Sequence, residues 1–227
     1  MNTPDALTSA ATGMRTQAAE LDTVAFNLAN ASTVGYRSRT EAFSQFGEDL
    51  VAHAGTSQAQ GPLRHTGVAT DLALVGPGYF AVATPQGVRY TRDGSLSADP
   101  RGYLLDAAGN PVLGSLGPAR FPQSARVLED GRIIAHGAIV DRLRIVTFDS
   151  PCSALDENLF AAPVGSVPKR SSAGVRAGYL EDSGVDAVAE MTSLISAERA
   201  FEANQKSVQR TDESLRRLVT EIPLVRP

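Results

Sequence analysis

The stretch Gly76-Pro-Gly78-Tyr-Phe-Ala81 carries the spacing G-x-G-x-x-A, and Asp99 follows at about the distance where a dinucleotide fold places an acid on a ribose. That chemistry needs a helix whose N-terminus faces the pyrophosphate. The next residues, Val82-Ala-Thr-Pro85, are too few for a helix and suit a strand, so the two glycines read as a tight turn. Asp93, Asp99, Asp106 and Asp130 fall in or beside turn sequences, where aspartate bonds to nearby backbone, and nothing selects a pair for hydrolysis. There is no G-x-S-x-G elbow, Walker loop or H-E-x-x-H motif. His53 and His65 lack partners at metal-ligand spacing, and the single cysteine, Cys152, closes no internal disulfide. Asn30-Ala31-Ser32 matches a glycosylation acceptor, but no secretion signal accompanies it. These residues predict no catalytic residue, no cofactor and no metal.

They lie between two helical patterns. Leu7, Ala11, Met14, Ala18, Leu21, Ala25 and Leu28 recur at alternating steps of four and three, which is a heptad seam. Asp5 after Pro4 predicts its start and Thr33-Val-Gly35 its stop. From Val185 to Ile222 there is neither Pro nor Gly, and Leu194, Phe201, Val208, Leu215 and Ile222 recur every seven residues. The interleaved row of Met191, Glu198, Gln205, Asp212 and Val219 is mostly polar. One seam is rich in alanine and the other half polar, so a two-helix zipper would bury little apolar area at about 25 cal/mol per Å². The pattern predicts helices with several neighbours, although a seam of this period also serves a bundle closed within one chain.

The middle reads as strands. Leu72-Ala-Leu-Val75, Tyr79-Phe-Ala-Val-Ala83 and Val88-Arg-Tyr-Thr91 are separated by Gly/Pro turns, and short β-prone pieces continue to Phe148, with Asp130-Gly131 as a hairpin turn. Turns every eight to ten residues predict an antiparallel unit. Gly55 to Pro62 and Ala161 to Gly174 read as linkers.

Composition agrees with a globular chain. Its 227 residues are 42% hydrophobic and 20% charged, and a net charge of −4 offers no basic surface for nucleic acid. No stretch approaches the ~18 continuous apolar residues of a spanning helix, so no membrane insertion is expected, and no cleavable signal is visible.

Three stretches together resemble bacterial flagellar rod and hook proteins. Asn27-Leu-Ala-Asn-Ala-Ser-Thr-Val-Gly-Tyr36-Arg37 is similar to their N-terminal signature. Asp71-Leu-Ala-Leu-Val-Gly-Pro-Gly-Tyr-Phe80, Tyr90-Thr-Arg-Asp-Gly94 and Gly109-Asn-Pro-Val-Leu-Gly114 resemble their central β signature. Gly178-Tyr-Leu-Glu-Asp-Ser-Gly-Val185, Glu190-Met191 and Arg199-Ala-Phe-Glu-Ala-Asn204 resemble their C-terminal helix. Gly184 stands where the family usually has Asn, and Phe26 where a second Asn is common. Leu143 to Asp149 and Asn158-Leu-Phe160 look more like the proximal-rod member than the distal one.

The expected fold is α+β: an antiparallel all-β central domain with long N- and C-terminal helices pairing in a coiled-coil-like bundle. The expected divisions are an axial helix in 1–36, an extended linker in 37–70, a β domain in 71–160, a linker in 161–177 and an axial helix in 178–227. The resemblance implies a structural rod subunit, assembled helically through its terminal helices to transmit torque. It also implies type III export without a cleaved signal, a place across the periplasm, and other rod proteins, the hook side of the axis and copies of itself as partners. The expected assembly interface is Leu7, Met14, Leu21, Leu28, Asn30, Thr33, Gly35, Met191, Leu194, Phe201, Asn204, Val208 and Leu215. The alternatives are a hook-type subunit, a ligand-binding or enzymatic β domain with helical dimerisation ends, and an adaptor for another coiled-coil protein.

Overall fold

The computed structural model describes residues 3–46, 49–155 and 158–221, with backbone alone for 3–11, 42–46, 49–54, 212, 214–215 and 218–221. Among the described residues, two helices, α1 (Thr3–Ala29) and α2 (Ala187–Glu221), are joined by seventeen strands. In chain order these are β1 (Arg39–Phe46), β2 (Asp49–Thr56), β3 (Leu63–His65), β4 (Leu72–Val75), β5 (Tyr79–Thr84), β6 (Gly87–Thr91), β7 (Ser97–Ala98), β8 (Leu104–Leu105), β9 (Arg126–Val127), β10 (Arg132–Ala135), β11 (Ala138–Arg142), β12 (Ile145–Thr147), β13 (Ser153–Ala154), β14 (Leu159–Ala161), β15 (Lys169–Arg170), β16 (Gly174–Ala177) and β17 (Tyr179–Glu181). The class is α+β with a β-rich unit. The chain forms two compact units: a helical unit of residues up to 29, 39–55 and from 186 onward, and a β unit of 30–38 and 56–185.

In the β unit the largest sheet is antiparallel, in the order β13-β14-β6-β5-β12-β15. Strand β5 shows why its sequence suits the middle. Phe80 and Val82 enter one apolar core while Tyr79 and Ala81 enter another, so successive side chains leave on opposite faces and both faces are covered. The first core joins Phe80 and Val82 to Leu72, Leu104, Val112 and Ile133. At about 1.5–3 kcal/mol for each large side chain fully buried, this core is the main stabiliser of the unit. Gly76 and Gly78 make the turn between β4 and β5, with φ of 103° and 153°, and a strand follows them where a cofactor site would need a helix.

Several boundaries differ from the sequence reading. Residues expected as a linker in 37–70 include β1 and β2, which form a two-stranded sheet, and β3, which pairs with β17. The stretch 161–177 holds β15 and β16, and Val175 of β16 is buried in the first core. Its Ser/Gly/Pro composition hid a strand of only four residues. Strand β11 was not foreseen either. His136 and Gly137 both have positive φ and form the two-residue turn of the β10–β11 hairpin, a turn usually signalled by Asn-Gly.

Candidate assembly site

In the helical unit, burial picks out one stripe on each helix. On α1 it runs through Met14, Gln17, Leu21, Val24 and Leu28, with Asn27 buried beside it. On α2 it runs through Glu190, Leu194, Ala197, Phe201, Asn204, Val208 and Thr211. Of the heptad positions, Met14, Leu21, Leu28, Leu194, Phe201 and Val208 are partly buried. Ala18, Ala25, Met191, Glu198 and Gln205 are exposed, and the residue before each of them is the more buried one. Hydrogen bonds hold the polar members of the stripes. Asn204 donates to Gln17 Oε1 at 2.9 Å, and Asn27 donates to Glu190 Oε1 at 2.9 Å, so polar side chains occupy the stripe with partners inside it. The side chains of Leu7 and Leu215, and the whole of Ile222, lie outside the described residues.

Asn27 does more than bridge the helices. Its Nδ2 donates to the Arg39 carbonyl at 3.0 Å, and its Oδ1 accepts the Arg39 N–H at 2.8 Å. The side-chain amide thus replaces a strand partner at the start of β1. The Arg39 guanidinium covers the Phe26 ring at 3.8 Å from its centroid. Helix α2 starts at Asp186, whose Oδ1 accepts the N–H groups of Val188 and Ala189 at 3.0 and 3.2 Å, satisfying donors the helix leaves free.

In the β unit, the segment after α1 and the segment before α2 are bound together. Thr33 donates through its N–H and hydroxyl to Asn30, closing a turn after the helix. Gly35 has φ of 67° and donates to the Glu181 carbonyl at 2.6 Å. A Cβ at Gly35 would lie 2.5 Å from the Arg92 carbonyl carbon, so the position excludes side chains by conformation and by space. Gly184 donates to the Tyr36 carbonyl at 3.0 Å, and Asn158 Nδ2 donates to the Val34 carbonyl at 2.6 Å.

Beneath these backbone bonds lies a buried ionic cluster. Glu181 bridges Arg37 at 3.1 Å and Arg92 at 3.2 Å, with the three side chains 1%, 3% and 4% exposed. Glu181 Oε1 also accepts the Gly61 N–H, Arg37 donates to the Gln58 carbonyl and Arg92 to the Gly76 carbonyl. Burial pushes the Arg92 guanidinium below its ordinary value, while Glu181 opposes that shift. One carboxylate between two guanidiniums, each with backbone acceptors, holds five chain segments in one arrangement. Arg37, Arg92 and Glu181 all stand inside the family-like motifs, where no role for them is assigned. The signal was there: unlike charges inside otherwise small, apolar signatures.

Among the described residues no group of three metal-ligating side chains occurs, and no helix is long and apolar enough to cross a membrane.

Comparison with known proteins decides the family. Residues 7–37 match the flagella basal body rod protein family, 73–137 the flagellar hook protein FlgE/F/G D1 domain, and 176–221 the flagellar basal body rod FlgEFG protein C-terminal region. The flagellar basal-body rod protein FlgF of Caulobacter vibrioides is 37% identical over 224 residues, covering 88% of this chain and 90% of the relative. The chain belongs to the flagellar basal-body rod protein family. FlgF of Mesorhizobium japonicum is 33% identical over 86% of this chain and 88% of its own length, and FlgG of Buchnera aphidicola is 27% identical over 91% and 95%. This rod protein is a structural subunit of the flagellar basal body and not an enzyme.

Proposed function

We propose that this rod protein is held in the rod by its terminal helices, which pair in a coiled-coil-like manner and add further apolar contacts to neighbouring subunits. The observation that carries this reading is an apolar stripe on α2, with Val188 75%, Met191 52% and Ile195 51% exposed. These residues recur at steps of three and four, so they share a helix face. They lie outside the row that faces α1. Contacts of this kind, which do not close on themselves, generate filaments.

On this reading, the buried stripes centred on Met14, Leu21, Leu28, Leu194, Phe201 and Val208 hold α1 to α2, with Leu7 and Leu215 extending them. Met191 faces a neighbour, Asn204 fixes register through Gln17, and Asn30, Thr33 and Gly35 shape the exit from α1. The partners are other rod proteins, the hook side of the axis and copies of this chain. Export through the flagellar type III apparatus without a cleaved signal, a position across the periplasm and transmission of torque complete the proposal, with the proximal rod as its place. A ligand-binding or enzymatic β domain is not favoured.

The test replaces Met191 and Ile195 by Glu in cells that make this chain. Both side chains are half exposed, so the variant folds with unchanged melting but does not enter purified basal bodies, and swimming is lost. Normal incorporation and swimming would refute the reading.

A further inference from the structure

Glycine in the interior of a helix is less stable than alanine, and α1 carries one at Gly13. A Cβ there would lie 3.4 Å from the Asn204 side-chain nitrogen, so Gly13 leaves room for a side chain of α2. Gln17 stands one turn further along the same face of α1, and its Oε1 accepts a hydrogen bond from that nitrogen at 2.9 Å. Gly13 and Gln17 thus form a notch that receives Asn204, opened by a missing side chain and closed by a hydrogen bond. A second polar pair lies further along the helices, where Asn27 Nδ2 donates to Glu190 Oε1 at 2.9 Å. Helix α1 runs from Gln17 to Asn27 while α2 runs back from Asn204 to Glu190, so the two pairs hold the helices antiparallel.

The apolar rows do not choose this register by themselves. Met14, Leu21 and Leu28 repeat at seven residues, as do Leu194, Phe201 and Val208, so sliding one helix along the other by a heptad exchanges like for like. The polar pairs do not repeat. Seven residues either side of Asn204 stand Ala197 and Thr211, and seven either side of Gln17 stand Ala10 and Val24. Seven residues beyond Glu190 is again Ala197, and seven before Asn27 is Glu20. A slip of one heptad, about 10 Å of helix, therefore breaks both pairs at once. Slipped one way, Gln17 meets Ala197; slipped the other, Asn204 meets Val24. Ala197 and Val24 are both buried, so either slip leaves an amide against an apolar side chain without its hydrogen bond.

We propose that Asn204 in the Gly13/Gln17 notch and Glu190 on Asn27 form a register lock, which selects one alignment of α1 on α2 from those that the apolar heptads allow. Fixing register is the best-attested use of a buried polar residue in a helix seam, and it is bought with stability. The consequence lies on the outer face of α2. With the register fixed, Val188, Met191 and Ile195 stand at one height beside α1, so each subunit offers its neighbours a single surface. This consequence rests on the reading of that stripe as the contact between subunits, whereas the lock itself acts within one chain.

The experiment measures the alignment in the purified full-length chain, in a Cys152→Ala background with spin labels introduced through Ala25→Cys and Gln209→Cys, both at exposed positions. Double electron–electron resonance is expected to give one distance. Gln17→Leu, Glu190→Leu and Asn204→Leu together leave Asn27 bonded to the Arg39 backbone. This triple variant keeps its helical circular dichroism and melts no lower, yet it adds a second distance displaced by roughly 5–10 Å, as a heptad slip requires. Gln17→Leu alone leaves Asn204 without its partner and lowers the melting temperature, and adding Asn204→Leu restores it. A triple variant that keeps the single native distance overturns the lock, and so does a native chain that shows several distances. Incorporation into basal bodies separates the two readings. A native chain with several distances that still enters the rod loses the lock alone, and one with a single distance that stays out of the rod loses the rod reading alone.

Discussion

Replacing Glu181 by Gln tests the buried cluster with almost no change of shape. In the native chain one carboxylate serves two guanidiniums at 3.1 and 3.2 Å, all three nearly fully buried. Glutamine keeps an acceptor for the Gly61 N–H, so the loss is essentially the counter-charge. Breaking a buried ion pair by removing one partner costs about 3–5 kcal/mol, because the remaining charge stays in a poorly solvating interior. For a chain of this size about 2–4 °C of melting temperature accompanies each kcal/mol, so the variant melts roughly 10 °C lower. Urea unfolding followed by circular dichroism measures it. Lys169→Met, which breaks the exposed pair with Asp149, is the control and costs less than about 1 kcal/mol. Replacing Arg37, Arg92 and Glu181 together by Met, Met and Leu recovers most of the loss, since no unpaired charge is left. If Glu181→Gln costs no more than the Lys169 control, the cluster does not hold these segments of the β unit together.

Further outcomes follow from single positions. Gly35→Val combines a positive φ with a Cβ against the Arg92 backbone, so stability falls by about 3 kcal/mol and swimming is impaired; wild-type melting and swimming would contradict the geometry. Burial pushes the Cys152 thiol up to about 11, which leaves on the order of one thiolate in a thousand at pH 8. Alkylation of the folded chain is therefore more than ~100-fold slower than in urea, and equal rates would show that the thiol is accessible. Burial also raises the Asp93 carboxyl, with Asp106 and Asp71 adding like charge. The folded chain then binds more protons than the unfolded one between the two values, and stability falls as pH rises through that window. Asp93→Asn keeps an acceptor for Ser95 and shrinks the difference in stability between pH 4 and pH 7; an unchanged difference would assign the pH dependence elsewhere.

The sequence showed its helices and its central strands clearly, and for a physical reason. Long uninterrupted periods and alternating apolar pairs such as Phe80 and Val82 are local signals. The polar members of the buried stripes were not legible because hydrophobicity ranks Ala18 above Gln17 and Met191 above Glu190, whereas the fold satisfies Gln17 and Glu190 with Asn204 and Asn27. Those pairings link residues far apart in the chain, and no window of sequence contains them. The same holds for Glu181, whose partners Arg37 and Arg92 come from distant segments. Strand β16 was invisible because Gly174 to Ala177 has strand character only beside β4. Gly35 was legible, since a glycine closing a helix exit predicts positive φ, and the structure adds the close approach of the Arg92 backbone.

Electron cryo-microscopy of basal bodies purified from cells making this chain, with an antibody marking it, tests the account most directly. The chain is expected within the rod, with α1 and α2 packed against the helices of neighbouring subunits and the Val188-Met191-Ile195 stripe covered. A rod complete without the chain, or a rod in which both helices face solvent, would contradict it.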